Sequence, residues 1–193
     1  MIQFLDMEGA VAQRRSGDQL PRGRHQLTRE AVAAAAVSRR TFYEQFPDIE
    51  SCFLAAYQAG LELLLGEIRS EVRRHPDADW RTRARISVEA YLRELSIRPA
   101  AAWAYSIEAI GAGAAVLEHR SGILARWVEQ WAGLARLARR EDPDLPPVPK
   151  DELLFLVGGI EELVRDCLRS RGAGHLPELS ERIGAIAIAA LGG

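Results

Sequence analysis

The stretch VSRRTFYEQFPDIESCFLAAY, residues 37–57, decides the fold. Ser38 is a good N-cap for a short helix over residues 39–46. Pro47 ends that helix, because a residue that precedes proline avoids the α region. Asp48 then caps a long helix in which apolar residues recur at steps of three and four. The stretch therefore predicts a short capped helix, a sharp break and a long amphipathic helix.

The rest of the chain also favours helices. Among its 193 residues are 30 alanines, and all but one of the 25 basic residues are arginines. Alanine and arginine are strong helix formers, and runs of β-branched residues are nearly absent. The fold class is therefore predicted to be all-α. Beyond the opening stretch, the apolar spacing and the positions of proline and glycine predict helices over residues 49–75, 79–97, 99–110, 114–140, 151–170 and 177–191.

Composition excludes several classes of protein. A net charge of -2 argues against a globally basic nucleic-acid coat. Two cysteines are too few for a disulfide scaffold or a four-cysteine zinc site. No apolar run approaches about 18 residues, and the N-terminus lacks the pattern of a signal peptide. We therefore expect a cytoplasmic protein.

Enzyme chemistry finds little support in the sequence. The four histidines lie in four distant segments, and none forms a Glu-x-x-His pair of the kind that binds iron in helical bundles. No glycine-rich phosphate loop follows a predicted strand. We expect neither catalytic residues nor a metal or cofactor.

Positive charge is concentrated near the predicted short helix. Residues 20–40 contain five arginines and one acidic residue, which suggests an end that faces nucleic acid, although a solvated arm has the same composition. Arginine at the start of a helix can pair with guanine or with phosphate, and a tyrosine hydroxyl can reach a phosphate. Arginines on a flexible arm can touch the DNA backbone or minor groove. The candidate DNA-binding residues are Arg22, Arg24, Ser38, Arg39, Arg40, Thr41 and Tyr43.

Residues 37–57 resemble the helix-turn-helix of the TetR family of transcriptional regulators. The preceding LPRGRHQLTREAV, residues 20–32, is similar to the arm of actinobacterial-type members. The resemblance implies a DNA-binding domain over residues 1–47 and a ligand-binding and dimerisation domain over residues 48–193. It further implies a one-component repressor that binds palindromic double-stranded operator DNA and is released by a small-molecule effector.

The segment before residues 37–57 is short for that family. Almost nothing separates the arm from AAAAVSRR, residues 33–40, where family members carry a full first helix. We therefore expect a head whose first helix is incomplete. The alternative function is a dimeric, helical ligand-binding protein that has lost DNA binding.

The resemblance also implies an effector site among the middle helices. Aromatic side chains provide flat apolar walls with polar tips, although they serve equally well as ordinary core. Glu108 either pairs with an arginine such as Arg126 or faces a polar or cationic ligand. Trp80 is expected at the surface or as a plug between helices. The candidate ligand-binding residues are Tyr91, Leu95, Trp103, Tyr105, Ser106, Ile107, Glu108, Trp127 and Trp131.

The last two predicted helices suggest a two-fold homodimer. Residues 151–170 carry two apolar stripes, and a helix at the edge of a bundle needs only one for its own core. An exposed second stripe would mark an interface, unless one subunit absorbs both. The candidate interface residues are Leu156, Val157, Gly158, Ile160, Val164, Leu179, Ile183 and Ile186.

Overall fold

The computed structural model describes residues 38–107 and 114–192. Regular structure in these ranges is entirely helical, which confirms the predicted all-α class. The described helices are α1 (Arg39–Gln45), α2 (Ile49–Arg73), α3 (Trp80–Ile97), α4 (Pro99–Ser106), α5 (Ala114–Glu141), α6 (Lys150–Ser170) and α7 (Ser180–Gly192). A 3-10 helix, η1 (Ala173–Leu179), joins α6 to α7.

The first three helices begin where the sequence places polar caps. The Ser38 hydroxyl accepts a hydrogen bond of 3.0 Å from the backbone N–H of Thr41 at the start of α1. The Asp48 carboxylate accepts one of 2.7 Å from Ser51 at the start of α2, and Asp79 caps α3 in the same way. Each cap satisfies a backbone donor that the first turn of a helix cannot pair.

Helix α3 is the centre of the bundle, since it packs against α2, α4, α5, α7 and η1. Trp80, at its first position, is only 1% exposed. Its ring lies so close to the end of α7 that a Cβ added at Gly192 would be 3.5 Å from it, and the guanidinium of Arg81 lies 4.4 Å from the ring centroid. Of the two positions expected for Trp80, the structure therefore confirms the plug between helices and not the surface position.

Helix α4 differs from its predicted environment. Its sequence is almost wholly apolar, and a helix that is apolar on all sides is expected to be buried nearly all round. In the described part of this segment only Ala102 and Ser106 are buried, and the other residues are half-buried or exposed. The reason is that α4 lies on one side of the bundle, against α3, α6 and η1.

The C-terminal segment also differs in one boundary. The sequence predicted a helix from Pro177, whereas α7 begins at Ser180. Gly172 ends α6 with a positive φ of 87°, a conformation that glycine adopts without strain. The chain then enters η1, which contains Pro177.

Apart from Leu154, which is exposed, the second apolar stripe of α6 is buried like the first, so the expectation that a whole stripe is exposed on a single subunit is wrong. The two stripes lie on adjacent positions of one broad face, and α6 packs against α5, η1, α7 and α4. Of the predicted interface residues, five are buried in the core of this one chain: Leu156, Val157, Ile160, Val164 and Ile183.

Candidate functional site

Helix α1 presents a polar surface over a small aromatic cluster. Phe42 is buried, and its ring lies 5.3 Å from that of Tyr43 and 5.7 Å from that of Phe46. Arg39, Arg40 and Tyr43 are exposed on the same short helix. Phe42 therefore marks the buried side of α1, whereas the basic and phenolic side chains of the helix are accessible.

The two arginines of α1 have different surroundings. The Nε of Arg40 lies 2.9 Å from a carboxylate oxygen of Glu44, one turn further on. The side chain of Arg39 has neither an ion pair nor a hydrogen bond within the described part of the chain. The Thr41 hydroxyl lies 2.9 Å from the Ser38 hydroxyl, so those two polar groups already serve the cap. Arg39 is thus the cation of α1 that is most available to a partner.

Several candidate residues lie outside the described part of the chain. They are Arg22 and Arg24 of the predicted arm, Glu108, and the segment in which an incomplete first helix was expected. Arg126, which was considered as a partner for Glu108, forms an ion pair with Glu62 at 2.6 Å.

A cavity of about 430 Å³ lies within the bundle, enclosed by α2, α3, α5 and α6. We call it the chamber. Its size falls within the usual range for small-molecule sites. The apolar side chains in its wall are Leu65, Ile68, Val72, Val88, Tyr91, Trp127, Trp131, Leu134, Leu137, Val157 and Ile160.

One end of the chamber is aromatic. The rings of Tyr91 and Trp127 meet edge to face at 5.3 Å. Trp127 donates a hydrogen bond of 3.2 Å from its indole nitrogen to the Tyr105 hydroxyl, and the Tyr105 ring stacks on Tyr57 at 4.5 Å. Burial raises the pKa of Tyr57 to about 12 and also raises the pKa values of Tyr91 and Tyr105. All three phenols therefore stay neutral at physiological pH.

A buried carboxylate belongs to the same end. The side chain of Glu161 is 13% exposed, lines the chamber and pairs with Arg120 of α5. Arg165 approaches the same carboxylate at 3.5 Å. Burial raises the pKa of Glu161, and the two arginines oppose that rise.

The opposite end of the chamber is basic. Arg69 and Arg73 come from the C-terminal part of α2, Arg83 from the start of α3, and Arg140 from the end of α5. We call these four residues the arginine end. Since Arg69, Arg73 and Arg140 are exposed, this end of the chamber lies at the surface of the chain.

The chamber contains only some of the predicted ligand-binding residues. Tyr91, Trp127 and Trp131 line it, whereas the other described candidates do not: Leu95, Trp103, Tyr105, Ser106 and Ile107. Four of these five lie on α4 or directly after it, and α4 packs outside the chamber. Sequence reasoning missed Glu161 and the arginine end, because single arginines spread over three helices form no motif.

The surface formed by α6 and α7 retains exposed apolar groups. Phe155 is 84% exposed, and Leu154 and Ile186 are also exposed. A Cβ added at Gly158 or Gly159 would meet no neighbouring atom. Of the predicted interface residues that are not in the core, Ile186 is exposed, and Gly158 and Leu179 are partly exposed.

The described residues offer neither a metal site nor a membrane-spanning helix. No group of three or more histidine, cysteine, aspartate or glutamate side chains there is arranged to hold a metal ion. The helices described are all too short or too polar to cross a bilayer.

Solved structures with the same fold are transcriptional regulators. FadR from Bacillus halodurans, a fatty acid degradation regulator, superposes with a TM-score of 0.79 at 17% identity, over 100% of this chain and 98% of that chain. FadR from Bacillus subtilis, solved in complex with stearoyl-CoA, gives 0.81 at 13% identity over 98% of both chains. A TetR-like regulator from Rhodococcus sp. RHA1 gives 0.66 at 18% identity, over 97% of this chain and 94% of that chain.

By sequence, no family model and no curated protein matches the chain. At such low identities the structural likeness establishes the fold, which is that of TetR-like regulators and agrees with the resemblance of residues 37–57.

Proposed function

We propose that this chain is a one-component, DNA-binding transcriptional regulator whose DNA affinity is set by a small-molecule effector in the chamber. The observation that carries the proposal is the direct chain connection between α1, the candidate DNA-binding helix, and α2, which lines the chamber. Helix α1, which exposes Arg39 and Tyr43, is joined by residues 46–48 to α2, and α2 forms one wall of the chamber. The fold shared with solved regulators supports the same function.

We assign DNA binding and effector binding to two consecutive parts of the chain. Residues 1–47 form the DNA-binding head, and residues 48–193 form the regulatory and dimerisation bundle. Five residues of α2 line the chamber, Leu65, Ile68, Arg69, Val72 and Arg73, so an effector that fills it contacts the helix that carries the head. In a two-headed dimer, a small tilt of α2 changes the spacing of the heads and favours a state that no longer fits two operator half-sites. The protein then acts as a repressor that the effector releases.

The proposed DNA contacts are Arg39, Arg40, Tyr43, Ser38 and Thr41 of the head, together with Arg22 and Arg24 of the arm. Arg39 is the strongest of these candidates, because Arg40 must leave Glu44 before it can contact DNA. Ser38 and Thr41 contribute mainly by holding the start of α1 in place.

Replacement of Arg39 by alanine tests the proposal. We expect weaker binding to the region upstream of the protein's own gene, because a phosphate or base contact is lost. If the contact is to phosphate, the negative slope of log affinity against log salt should become less steep by about 0.9. Arg169→Ala is the matched control, since Arg169 is exposed on α6, far along the chain from α1. Gel-shift titrations at several salt concentrations measure both quantities.

Unchanged affinity and salt slope in a folded Arg39→Ala variant would contradict the assignment of α1 as the DNA-contacting helix. If the wild-type chain binds ligands but no DNA at low salt, the alternative holds, and the chain is a dimeric ligand-binding protein that has lost DNA binding.

A further inference from the structure

The arginine end of the chamber holds more positive charge than the described structure neutralises. Among the described residues, the side chains of Arg69, Arg73 and Arg140 form no ion pair and no hydrogen bond. Only Arg83 is occupied, since it donates to the backbone oxygens of Ala78 at 2.8 Å and Pro76 at 2.6 Å. No carboxylate of the described ranges lines this end of the chamber.

The helix dipole accounts for only two of the three unpaired arginines. Arg73 and Arg140 lie in the last turns of α2 and α5, where a cation offsets the negative end of the helix dipole. Arg69 lies a full turn earlier, where that effect has largely faded. The dipole also does not account for the convergence of arginines from three helices on one apolar cavity. Most other arginines of the bundle pair with nearby glutamates, as Arg126 does with Glu62.

The two ends of the chamber also differ in charge. Along α5, the rise from Trp127 at the aromatic end to Arg140 is about 20 Å. The carboxylate of Glu161 lines the aromatic end, whereas its partners Arg120 and Arg165 do not line the chamber. Since Glu161 is already paired with Arg120 and Arg165, the charge of the chamber that remains available to a ligand lies at the arginine end and is positive.

We propose that the effector is an anionic amphiphile, an elongated apolar body that carries a carboxylate or phosphate group. Its apolar body packs against Tyr91, Trp127 and Trp131, and its anion pairs with Arg69, Arg73 and Arg140. Guanidinium groups bind both kinds of anion through charge-assisted hydrogen bonds. The proposal rests on the proposed function, in that it takes the chamber to be the effector site.

Four probes with the same apolar chain test the proposal: dodecanoate, dodecyl phosphate, dodecanol and dodecyltrimethylammonium. Binding to the full chain is followed by the fluorescence of the tryptophans that line the chamber and by calorimetry, below the concentration at which each probe forms micelles. We expect at least one anionic probe to bind about tenfold more tightly than dodecanol, because charge-assisted hydrogen bonds are gained. The cation should bind most weakly. The better of the two anions identifies the head group.

Variants then locate the anion site. Arg69→Gln and Arg73→Gln should lose most of the preference for the anion and keep the affinity for dodecanol. Arg169→Gln, at an exposed arginine of α6, should change neither. Thermal unfolding followed by circular dichroism confirms that each variant is folded.

The outcomes separate the two proposals. If dodecanol and both anions bind equally well to wild type, or if the anion preference survives in both glutamine variants, the anionic effector is wrong and the chamber remains a ligand site. If none of the four probes binds, the amphiphilic effector is wrong, because the chamber then accepts neither the apolar chain nor its charged group. The DNA-binding part is tested independently through Arg39.

Discussion

Glu161 is the residue at which burial and charge oppose each other most directly. Its carboxylate has lost most of its contact with water, which favours the protonated form, and Arg120 and Arg165 favour the ionised form. Burial is the larger effect, so its pKa lies above the ordinary value of 4.5. The folded state therefore binds this proton more tightly than the unfolded state does.

That difference predicts the sign of a pH effect on stability. A group whose pKa is raised by folding stabilises the folded state at low pH, and this contribution is lost as the pH rises from 4.5 through the raised value. The free energy of unfolding of wild type, relative to Glu161→Gln, should therefore fall as the pH rises. Urea unfolding of both proteins between about pH 4 and pH 8 measures the difference. A difference that grows with pH would show that the two arginines outweigh burial.

At the scale of single elements, the start of α2 is the joint between the proposed head and the bundle. Asp48 caps this helix through the backbone N–H of Ser51. Asp48→Ala should lower the free energy of unfolding by about 1 kcal/mol, the usual cost of losing an N-cap. Asp48→Asn is the matched control, because asparagine is an equally good cap. Midpoints of urea unfolding with unchanged slopes measure both effects. A similar loss in both variants would mean that the negative charge of Asp48, rather than its cap, stabilises α2.

Caps and apolar periodicity are local properties, which is why the sequence predicted the helices well. Ser38, Asp48 and Asp79 begin α1, α2 and α3 as predicted, and Pro99 begins α4. The burial of each face is not local. The sequence of α4 predicts a buried helix, but α4 lies where neighbours cover only one side.

The candidate site, too, could be predicted from the sequence only in part. Trp127 and Trp131 were found from sequence because aromatic residues on a middle helix stand out, and both line the chamber. The arginine end could not be found in this way. Arg69, Arg83 and Arg140 are distant in sequence and look like ordinary solvated arginines until α2, α3 and α5 bring them to one cavity.

At the scale of the whole molecule, the face formed by α6 and α7 is the place where a second copy fits best. Three of the large apolar side chains that remain exposed on the described residues lie on these two helices: Leu154, Phe155 and Ile186. A shallow apolar groove runs between the helices, lined by Phe155, Gly159, Leu163, Ile186 and Ala190 among others. Sizeable exposed apolar surfaces usually mark interfaces, and two-fold pairing is the commonest way to cover one.

The burial of a residue within one subunit decides whether its substitution can test the proposed dimer interface. Leu156 and Val157 belong to the subunit's own core, so a glutamate at either position would destabilise the fold and say nothing about assembly. Phe155 is free of that difficulty, because its side chain is 84% exposed in a single chain. Any loss of association in a Phe155 variant can therefore be assigned to the surface itself.

Phe155→Glu is expected to convert a wild-type dimer into a folded monomer. Two-fold symmetry places the same surface on both subunits, so each new carboxylate would be buried in an apolar interface, a cost that association cannot offset. Leu63→Glu is the matched control, since Leu63 is a similarly exposed apolar residue on α2, away from α6 and α7. Light scattering at micromolar concentration measures the mass, and circular dichroism confirms the fold. A wild-type monomer, or a Phe155→Glu dimer, would refute this interface. A wild-type monomer would also refute the two-headed mechanism, because one head cannot read two half-sites.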